Sequence, residues 1–316
     1  MANTTFSGPV RSENNVQLIS KTASTGVIHD RTQMSSKLWD TRRYYLYEPF
    51  LQRPGLNAIN IIDPDANDAT ALAVTQAANK NFETLGTNYT TALTTFPGTQ
   101  AGILMTTDTA DQDQAILLPH LDTNQSAWSK VLWGTENQVE WECSINLAAT
   151  DNQKVWAGLK LTNDQLPQTD ADQAYFYYAS DATNGQALSS FTPWYFIQSV
   201  NGTDYLTNTG VTVAASTNYH FRIAIDSDRK PSIFINGVQY SATTTAATTF
   251  DGSTEVTGTT QATIAESYSA TNANTQKGPA MKNDVDLIPY IGIEAGDGAA
   301  EALNVHYTAI SRHVFE

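Results

Sequence analysis

Apolar and polar residues alternate with a period of two over much of the chain beyond about residue 100. In the segment 139–147, VEWECSINL, apolar residues occupy the odd positions and polar residues the even ones. The segment 219–226, YHFRIAID, alternates in the same way, and five further runs do so less regularly: KVWAGLKL, AYFYYAS, WYFIQSV, LIPYIGIEA and LNVHYTAI. Alternation places apolar side chains on one face of a sheet and polar ones on the other. Seven such runs, separated by turn residues, predict an all-β protein, an antiparallel β-sandwich.

A hairpin is predicted at SIFINGVQY, residues 232–240. Strand-forming residues lead into Asn236-Gly237 and resume after it. Both turn residues tolerate a positive φ, and a type I′ turn matches the twist of the two strands. Such a hairpin occurs in sugar-binding sandwiches and in purely structural ones, so it does not choose between these functions.

The remaining segments suggest three parts. Residues 1–55 are polar, lack a sustained period and predict an extended N-terminal arm; residues 56–98 predict a connecting segment with a short helix in the Ala-rich stretch 69–82. Residues 99–316 predict the sandwich itself, with a Thr/Ala/Ser-rich exposed excursion at about 241–280.

Charge separates the first part from the others. Residues 1–55 hold seven Lys/Arg against four acids, a balance of +3, whereas the rest carries −18, giving −15 overall. An acidic body argues against nucleic acid as a partner, since phosphates require clustered Lys/Arg. No apolar run is long enough for a membrane span, and the N-terminus does not read as a secretory signal. The basic segment suits an acidic protein surface, including another copy of the body, or its charges are simply solvated.

The order of strand-like runs resembles a known family. From AILLPHLDTNQSAW through VEWECSINL, AYFYYASD and SIFINGVQY to LNVHYTAI, the pattern is similar to concanavalin A-like (laminin-G-like) jelly rolls in virion proteins of tailed, especially marine, bacteriophages. The opening TTFSGPVRSEN also resembles the start of phage virion proteins. The resemblance covers about residues 80–316 and the first dozen, and it implies a jelly roll of two curved antiparallel sheets.

Two functions follow as hypotheses. The first is a phage virion structural protein, a capsid decoration, cement or knob protein that assembles in the host cytoplasm. It would attach through its arm to other virion proteins, in particular the capsid shell, and is expected to form a homo-oligomer. The alternative is a carbohydrate-binding, lectin-like module for host or particle attachment.

Partner-binding residues are predicted in the dense aromatic patch at the end of the arm. So many aromatic side chains are atypical of a disordered tail, and they should become ordered by packing on the body or on a neighbour. The predicted set comprises Trp39, Arg42, Arg43, Tyr44, Tyr45, Tyr47 and Phe50.

A sugar site requires aromatic rings for stacking and side-chain oxygens for hydroxyl groups. Trp194 and Tyr205, near Asn201 and Asp204, supply this combination. The alternative is that the aromatic residues, at strand spacing, belong to the core.

Calcium is the one cofactor for which candidates exist. Asp108, Asp111 and Asp113 cluster in a polar turn and could supply oxygen ligands, or they are simply solvated. No cofactor is otherwise predicted.

No enzyme is predicted. Glu140 and Glu142 point the same way on one strand, about 6.5–7 Å apart. A retaining glycosidase places its two carboxyl groups about 5–5.5 Å apart with distinct pKa values. The pair is therefore interpreted as a solvated strand face, and the histidines stand in no recognisable catalytic setting. Cys143, the single cysteine, is predicted to be buried.

Overall fold

A computed structural model describes residues 19–21, 28–30, 43–52, 54–56, 79–94, 102–119, 128, 131–162, 169–180, 188, 190–247, 262–263, 277–296 and 298–314. Within these ranges the chain forms nineteen strands and one short 3-10 turn, Thr135–Asn137. No helix in them is long and apolar enough to cross a membrane. The strands are β1 (Ile19–Lys21), β2 (Ile28–Asp30), β3 (Arg43–Glu48), β4 (Pro54–Leu56), β5 (Asn79–Thr87), β6 (Tyr89–Thr94), β7 (Gly102–Thr107), β8 (Gln114–Pro119), β9 (Glu140–Leu147), β10 (Gln153–Lys160), β11 (Gln173–Ala179), β12 (Pro193–Val200), β13 (Thr203–Thr212), β14 (Asn218–Ile225), β15 (Pro231–Ile235), β16 (Val238–Tyr240), β17 (Ala262–Thr263), β18 (Ile288–Ala295) and β19 (Ala302–His313).

The strands form two sheets. The first has the order β1-β2-β16-β15-β14-β9-β19-β7-β6, with β3 also paired to β19; the second has the order β17-β13-β12-β11-β10-β18-β8-β5-β4. All pairs are antiparallel except β4 with β5 and β13 with β17. The chain passes repeatedly from one sheet to the other, for example from β7 to β8, from β9 to β10 and from β18 to β19. The predicted all-β antiparallel sandwich is confirmed.

The core between the sheets is formed by the residues that the alternation placed on the apolar faces. Trp141, Cys143 and Ile145 of β9 are buried there, as are Phe221 and Ile223 of β14. Burial of alternating apolar residues from facing sheets is the main driving force for a sandwich. The prediction that Cys143 is buried is confirmed.

The hairpin at Asn236-Gly237 is also confirmed. β15 and β16 pair so that Ile235 lies opposite Val238, which leaves a two-residue loop. Asn236 has φ 51° and Gly237 has φ 77°, the left-handed values that a type I′ turn requires.

The described parts of the predicted arm belong to the sandwich. β1 pairs with β2, β2 joins the edge of the first sheet at β16, and β3 pairs with β19 over six positions. The predicted connecting segment likewise contains β5 and β6, which pair with β8 and β7. The sandwich therefore includes strands from before residue 99, because its sheets recruit strands distant in sequence.

Two local predictions differ from the structure. Residues 79–82, the end of the predicted helix, begin strand β5, while residues 69–78 lie outside the described ranges. The predicted excursion starts with Ser241, Ala242 and Thr243, all at most 2% exposed. These three residues continue from the hairpin into the packed interior, so only residues after them can form an exposed excursion.

A second apolar cluster covers the side of the second sheet that faces away from the core. Trp156, Tyr175, Tyr177, Tyr195 and Tyr290 are its large members, each at most 1% exposed. A Cβ at Gly292 would lie 2.5 Å from the Trp156 ring, so the absence of a side chain there lets this ring lie flat on the sheet. Both faces of the second sheet are therefore buried at its centre.

Candidate functional site

The outward face of the first sheet carries a group of polar and aromatic side chains, some of which remain accessible. We call this the polar face; it consists of the side chains of β3, β19, β9 and β14 that point away from the core. Strand register places them in rows across the sheet. The central row runs from Tyr47 on β3 through Ala309 on β19 and Glu142 on β9 to Arg222 on β14.

Three rings lie side by side on the polar face. The centroid of the Tyr307 ring is 5.4 Å from that of Tyr47 and 5.4 Å from that of His220. The Tyr307 hydroxyl lies 3.0 Å from His220 Nδ1 and 3.5 Å from Glu142 Oε1. Tyr47 is 51% exposed, so the edge of this group is open to solvent.

A β-bulge at His306 produces this arrangement. Val305 pairs with Ile145 and Tyr307 pairs with Ser144, so His306 is an extra residue on β19. The extra residue reverses the alternation, so that both His306 and Tyr307 reach the polar face while Leu303, Val305 and Ile310 remain in the core. His306 Nε2 lies 3.3 Å from Asn218 Oδ1, which also accepts a hydrogen bond from Asn146.

Glu140 and Glu142 are buried, which corrects the prediction of a solvated strand face. They are 3% and 6% exposed. Arg222 lies 3.5 Å from Glu140 and stacks on the Phe234 ring at 3.8 Å. Arg43 donates to Ser311, which lies opposite Glu140 in the β9–β19 ladder. Arg222 thus pairs with Glu140, and side chains of neighbouring strands cover both carboxylates.

The tyrosines and His220 of the polar face are held in their neutral forms. Burial, together with the negative charge of Glu142, raises the pKa of Tyr45, Tyr47 and Tyr307. Burial and the neighbouring His306 lower the pKa of His220. The tyrosines therefore remain hydrogen-bond donors, and His220 is an uncharged ring at neutral pH.

The predicted partner-binding residues have different positions: some lie outside the described ranges, one is in the core and others are at the surface. Trp39 and Arg42 lie outside the described ranges. Phe50 is 1% exposed and contacts Phe82 edge-on at 5.2 Å, so the prediction that it binds a partner is wrong: its ring fills the protein's own core. Tyr45 is half-buried on the polar face, whereas Tyr44 and Tyr47 remain exposed, at 37% and 51%.

The residues predicted to form a sugar site do not lie together. Trp194 is fully buried and packs edge-on against Phe221 at 4.8 Å, so the core alternative holds for it. Asp204 is buried and accepts a 2.6 Å hydrogen bond from Ser199. Tyr205 follows Asp204 directly on β13 and so points to the other face. Asn201 is exposed in the turn between β12 and β13, with φ 50°.

The aspartates predicted as calcium ligands accept hydrogen bonds from neighbouring protein groups, among them Gln112 Nε2, 3.5 Å from Asp111 Oδ2. Asp113 is buried and accepts hydrogen bonds from the Asn88 side chain and the Ala110 backbone, at 3.0 and 3.2 Å. The Asp108 carboxylate accepts from the neighbouring Thr109 amide. Across the described ranges no group of three or more His, Cys, Asp or Glu side chains is arranged to hold a metal ion.

Sequence reasoning missed the polar face because its members come from four strands. Residues 43–48, 140–146, 218–224 and 304–311 supply the side chains, and β3 and β19 lie more than 250 residues apart. The one local signal is His306-Tyr307 in LNVHYTAI, where a strict alternation would place Tyr307 in the core.

Comparisons with known proteins bear on the fold alone. No family model and no curated protein matches the sequence. Among solved structures, a protein of unknown function from Shewanella oneidensis MR-1 aligns at 12% identity and TM-score 0.42, over 90% of this chain and 95% of that one. Peanut lectin aligns at 9% identity and TM-score 0.41, over 87% and 99% of the two chains. A Bacillus licheniformis β-glucanase aligns at 8% identity and TM-score 0.41, over 84% and 97%. At this level of likeness the matches say nothing about activity or ligand, and the resemblance to phage virion proteins stays a prediction.

Proposed function

We propose that this protein is a non-catalytic structural protein of a phage virion, a decoration, cement or knob protein that docks on an acidic protein surface. The observation that carries the proposal is strand β3, which comes from the basic N-terminal segment and lies beside β19 with exposed apolar side chains. Among the described strands it pairs with β19 alone. An edge strand with exposed aromatic residues is a surface on which another protein can dock.

Several exposed apolar residues near the start of β3 lie around Arg312. We call them the end patch; they are Tyr44, Leu132 and Val314, which are 37%, 61% and 45% exposed. Tyr44 lies opposite Arg312 in the β3–β19 ladder, and Arg312 donates to the Leu132 carbonyl. Val314 follows two residues after Arg312. Tyrosine and arginine together are the residue types enriched at the energetic centre of protein interfaces.

Charge indicates the partner. Arg312 lies in the end patch and donates to the Leu132 carbonyl, whereas the chain beyond residue 55 carries −18. An acidic shell protein, or the acidic body of a second copy, would complement this surface. Such pairing contributes orientation and salt sensitivity more than affinity, which comes from burying the apolar groups.

The absence of catalysis is part of the proposal. Glu140 is neutralised by Arg222, and Glu142 is enclosed by tyrosines whose phenols stay protonated. In a glycosidase, by contrast, the general acid and the nucleophile are two carboxyl groups that flank the glycosidic bond, and both must be accessible to it. Turnover of a glucan by the wild-type protein, lost in Glu140→Gln with Glu142→Gln, would overturn this part.

Occupancy on purified phage particles tests the docking role. We expect tens to hundreds of copies per particle by quantitative mass spectrometry. Tyr44→Glu should lower that occupancy about tenfold or more, since an interface tyrosine commonly contributes 2 kcal/mol or more. Tyr47→Ala is the matched control, on the same strand but on its opposite face, and should keep full occupancy. Particles without the protein, or full occupancy with Tyr44→Glu in a folded protein, would contradict the proposal.

A further inference from the structure

We propose that Asn236, in the hairpin between β15 and β16, is a site of spontaneous deamidation. The co-reactant is water, and the products are aspartate and isoaspartate. No residue of the end patch takes part, so this inference is independent of the docking role.

The reaction requires a side-chain amide that is followed by an unhindered backbone amide. The Gly237 nitrogen attacks Cγ of Asn236, and a new C–N bond forms. The side-chain nitrogen leaves as ammonia, taking the proton that the Gly237 nitrogen gives up. Water then opens the cyclic imide at either carbonyl, which yields aspartate or isoaspartate. Glycine favours the attack because it has no Cβ to obstruct the close approach.

Two Asn-Gly turns with matching backbone conformation reveal the effect of tertiary contacts. Asn201-Gly202 connects β12 to β13 with φ values of 50° and 78°, and Asn236-Gly237 connects β15 to β16 with 51° and 77°. Both asparagines are exposed. Because the dipeptide, the φ values and the exposure match, a difference in reactivity must come from the hydrogen bonds around each turn.

The hydrogen bonds at Asn236 favour the reaction. The His220 amide donates to Asn236 Oδ1 at 2.8 Å. Negative charge develops on this oxygen when the Gly237 nitrogen attacks, so a donor already in place stabilises the transition state in the manner of an oxyanion hole. Among the described residues no backbone hydrogen bond engages the Gly237 amide, so the attacking nitrogen has none to break.

The hydrogen bonds at Asn201 have the opposite effect. The Gly202 amide donates to the Ala171 carbonyl at 2.8 Å, and this bond must break before the nitrogen can attack. The Asn201 backbone amide donates to Asp172 Oδ1, but its side-chain oxygen receives no donor from the described parts of the chain. The attacking nitrogen is therefore restrained at this turn, and the side-chain amide is not activated.

The position of the Asn236 turn gives the modification a structural consequence. β16 follows Gly237 directly, and β2 joins the first sheet at this strand through the pair Val238 and His29. Isoaspartate adds a methylene carbon to the main chain between Ile235 and Val238, which lie opposite each other in the hairpin. It therefore disturbs the pairing of β16, and ageing weakens the attachment of a strand that comes from the basic N-terminal segment.

Residue-resolved mass spectrometry of the aged full chain tests the inference. The folded protein is kept at mildly alkaline pH, and we expect Asn236 to deamidate about tenfold or more faster than Asn201, since the two sites differ in a hydrogen bond at each reacting group. In urea these tertiary bonds are lost. The two rates should then agree within about twofold, because a β-branched residue, Val200 or Ile235, precedes each Asn-Gly pair.

A variant separates the chemistry from its consequence. Asn236→Gln keeps a side-chain amide but forms the larger cyclic imide much more slowly, so it should stay intact. After ageing, the amides of residues 28–30 and 238–240 should exchange hydrogen faster in the wild type than in this variant.

Three outcomes would overturn the proposal. The first is that Asn236 reacts no faster than Asn201 in the folded protein. The second is that its preference persists unchanged in urea, since the cause would then be local sequence. The third is equal hydrogen exchange in wild type and variant despite accumulated isoaspartate, which would remove the link to β2.

Discussion

Glu301 shows how a single buried carboxyl responds to its surroundings. It is 4% exposed and lies at the start of β19, where its backbone amide donates to Thr107. Burial, and then the negative charge of Asp151, raise its pKa from 4.5 to about 7. The folded protein therefore holds a proton there that the unfolded chain releases near pH 4.5. The stability linked to this proton is complete below pH 4.5 and is lost as the pH rises to about 7.

Glu301→Gln removes this dependence because the amide is uncharged at every pH. We expect the melting temperature of the wild type to fall relative to that of the variant between pH 4.5 and pH 7. Differential scanning calorimetry of both proteins across this range measures the difference. Asp151→Asn should make this decline smaller and end it at a lower pH, since it removes the second cause of the raised Glu301 pKa. Parallel melting curves for wild type and Glu301→Gln would show that the carboxyl is not protonated in the folded state.

Strand β3 and the turn after it show how an element from the predicted arm becomes part of the body. Phe50 has φ 51°, an uncommon conformation for a bulky residue, and its amide donates to the Glu48 carboxylate at 2.9 Å. This turn directs the ring into the core, where Phe50, Phe82 and Trp128 pack edge-on in sequence. The adjacent Leu51 points outward and is 60% exposed. Two neighbouring apolar residues therefore have opposite roles.

Phe50→Ala should lower the free energy of unfolding by about 3–5 kcal/mol, the cost of emptying a buried aromatic site. Leu51→Ala is the matched control and should change it by less than about 0.5 kcal/mol. Equilibrium urea unfolding of both variants gives the two values. Equal and small effects would mean that β3 is not part of the cooperative unit.

At the scale of the molecule, the last strand holds the first sheet together. β19 pairs along one edge with β9, and along the other with β7 and then β3. Residues 43–48 thereby occupy a ladder position that would otherwise expose the second half of β19. The sandwich is one unit that draws strands from both ends of the chain, while the polar face and the end patch lie on either side of the same edge strand.

Two truncations separate β3 from the residues that precede it. A chain that starts at residue 43 keeps β3 and Phe50, whereas a chain that starts at residue 56 loses both and exposes one edge of β19. We expect the shorter chain to unfold at a lower urea midpoint than the longer one. The shift in midpoint should be at least as large as the shift that Phe50→Ala causes. Circular dichroism should show a β-dominated spectrum for the longer chain, as for the full one. Identical urea midpoints for the two chains would mean that β3 lies outside the folded unit, as expected if residues 1–55 formed a separate arm.

The sequence by itself determined the alternating strands beyond about residue 100, their inward faces and the Asn236-Gly237 hairpin. Alternation depends on neighbours in the chain, and the turn depends on two residues that tolerate positive φ, so both are local. Only the tertiary structure decided what lies on the outward faces. Glu142 was expected in solvent because alternation distinguishes two faces but cannot state what covers either one, and here the cover comes from β3 and β19. The bulge at His306 and the inward turn of Phe50 also depend on the tertiary structure. Each interrupts a regular local pattern and is stabilised by contacts with residues distant in sequence. The polar face exists because four such strands meet, and no window of the sequence contains it.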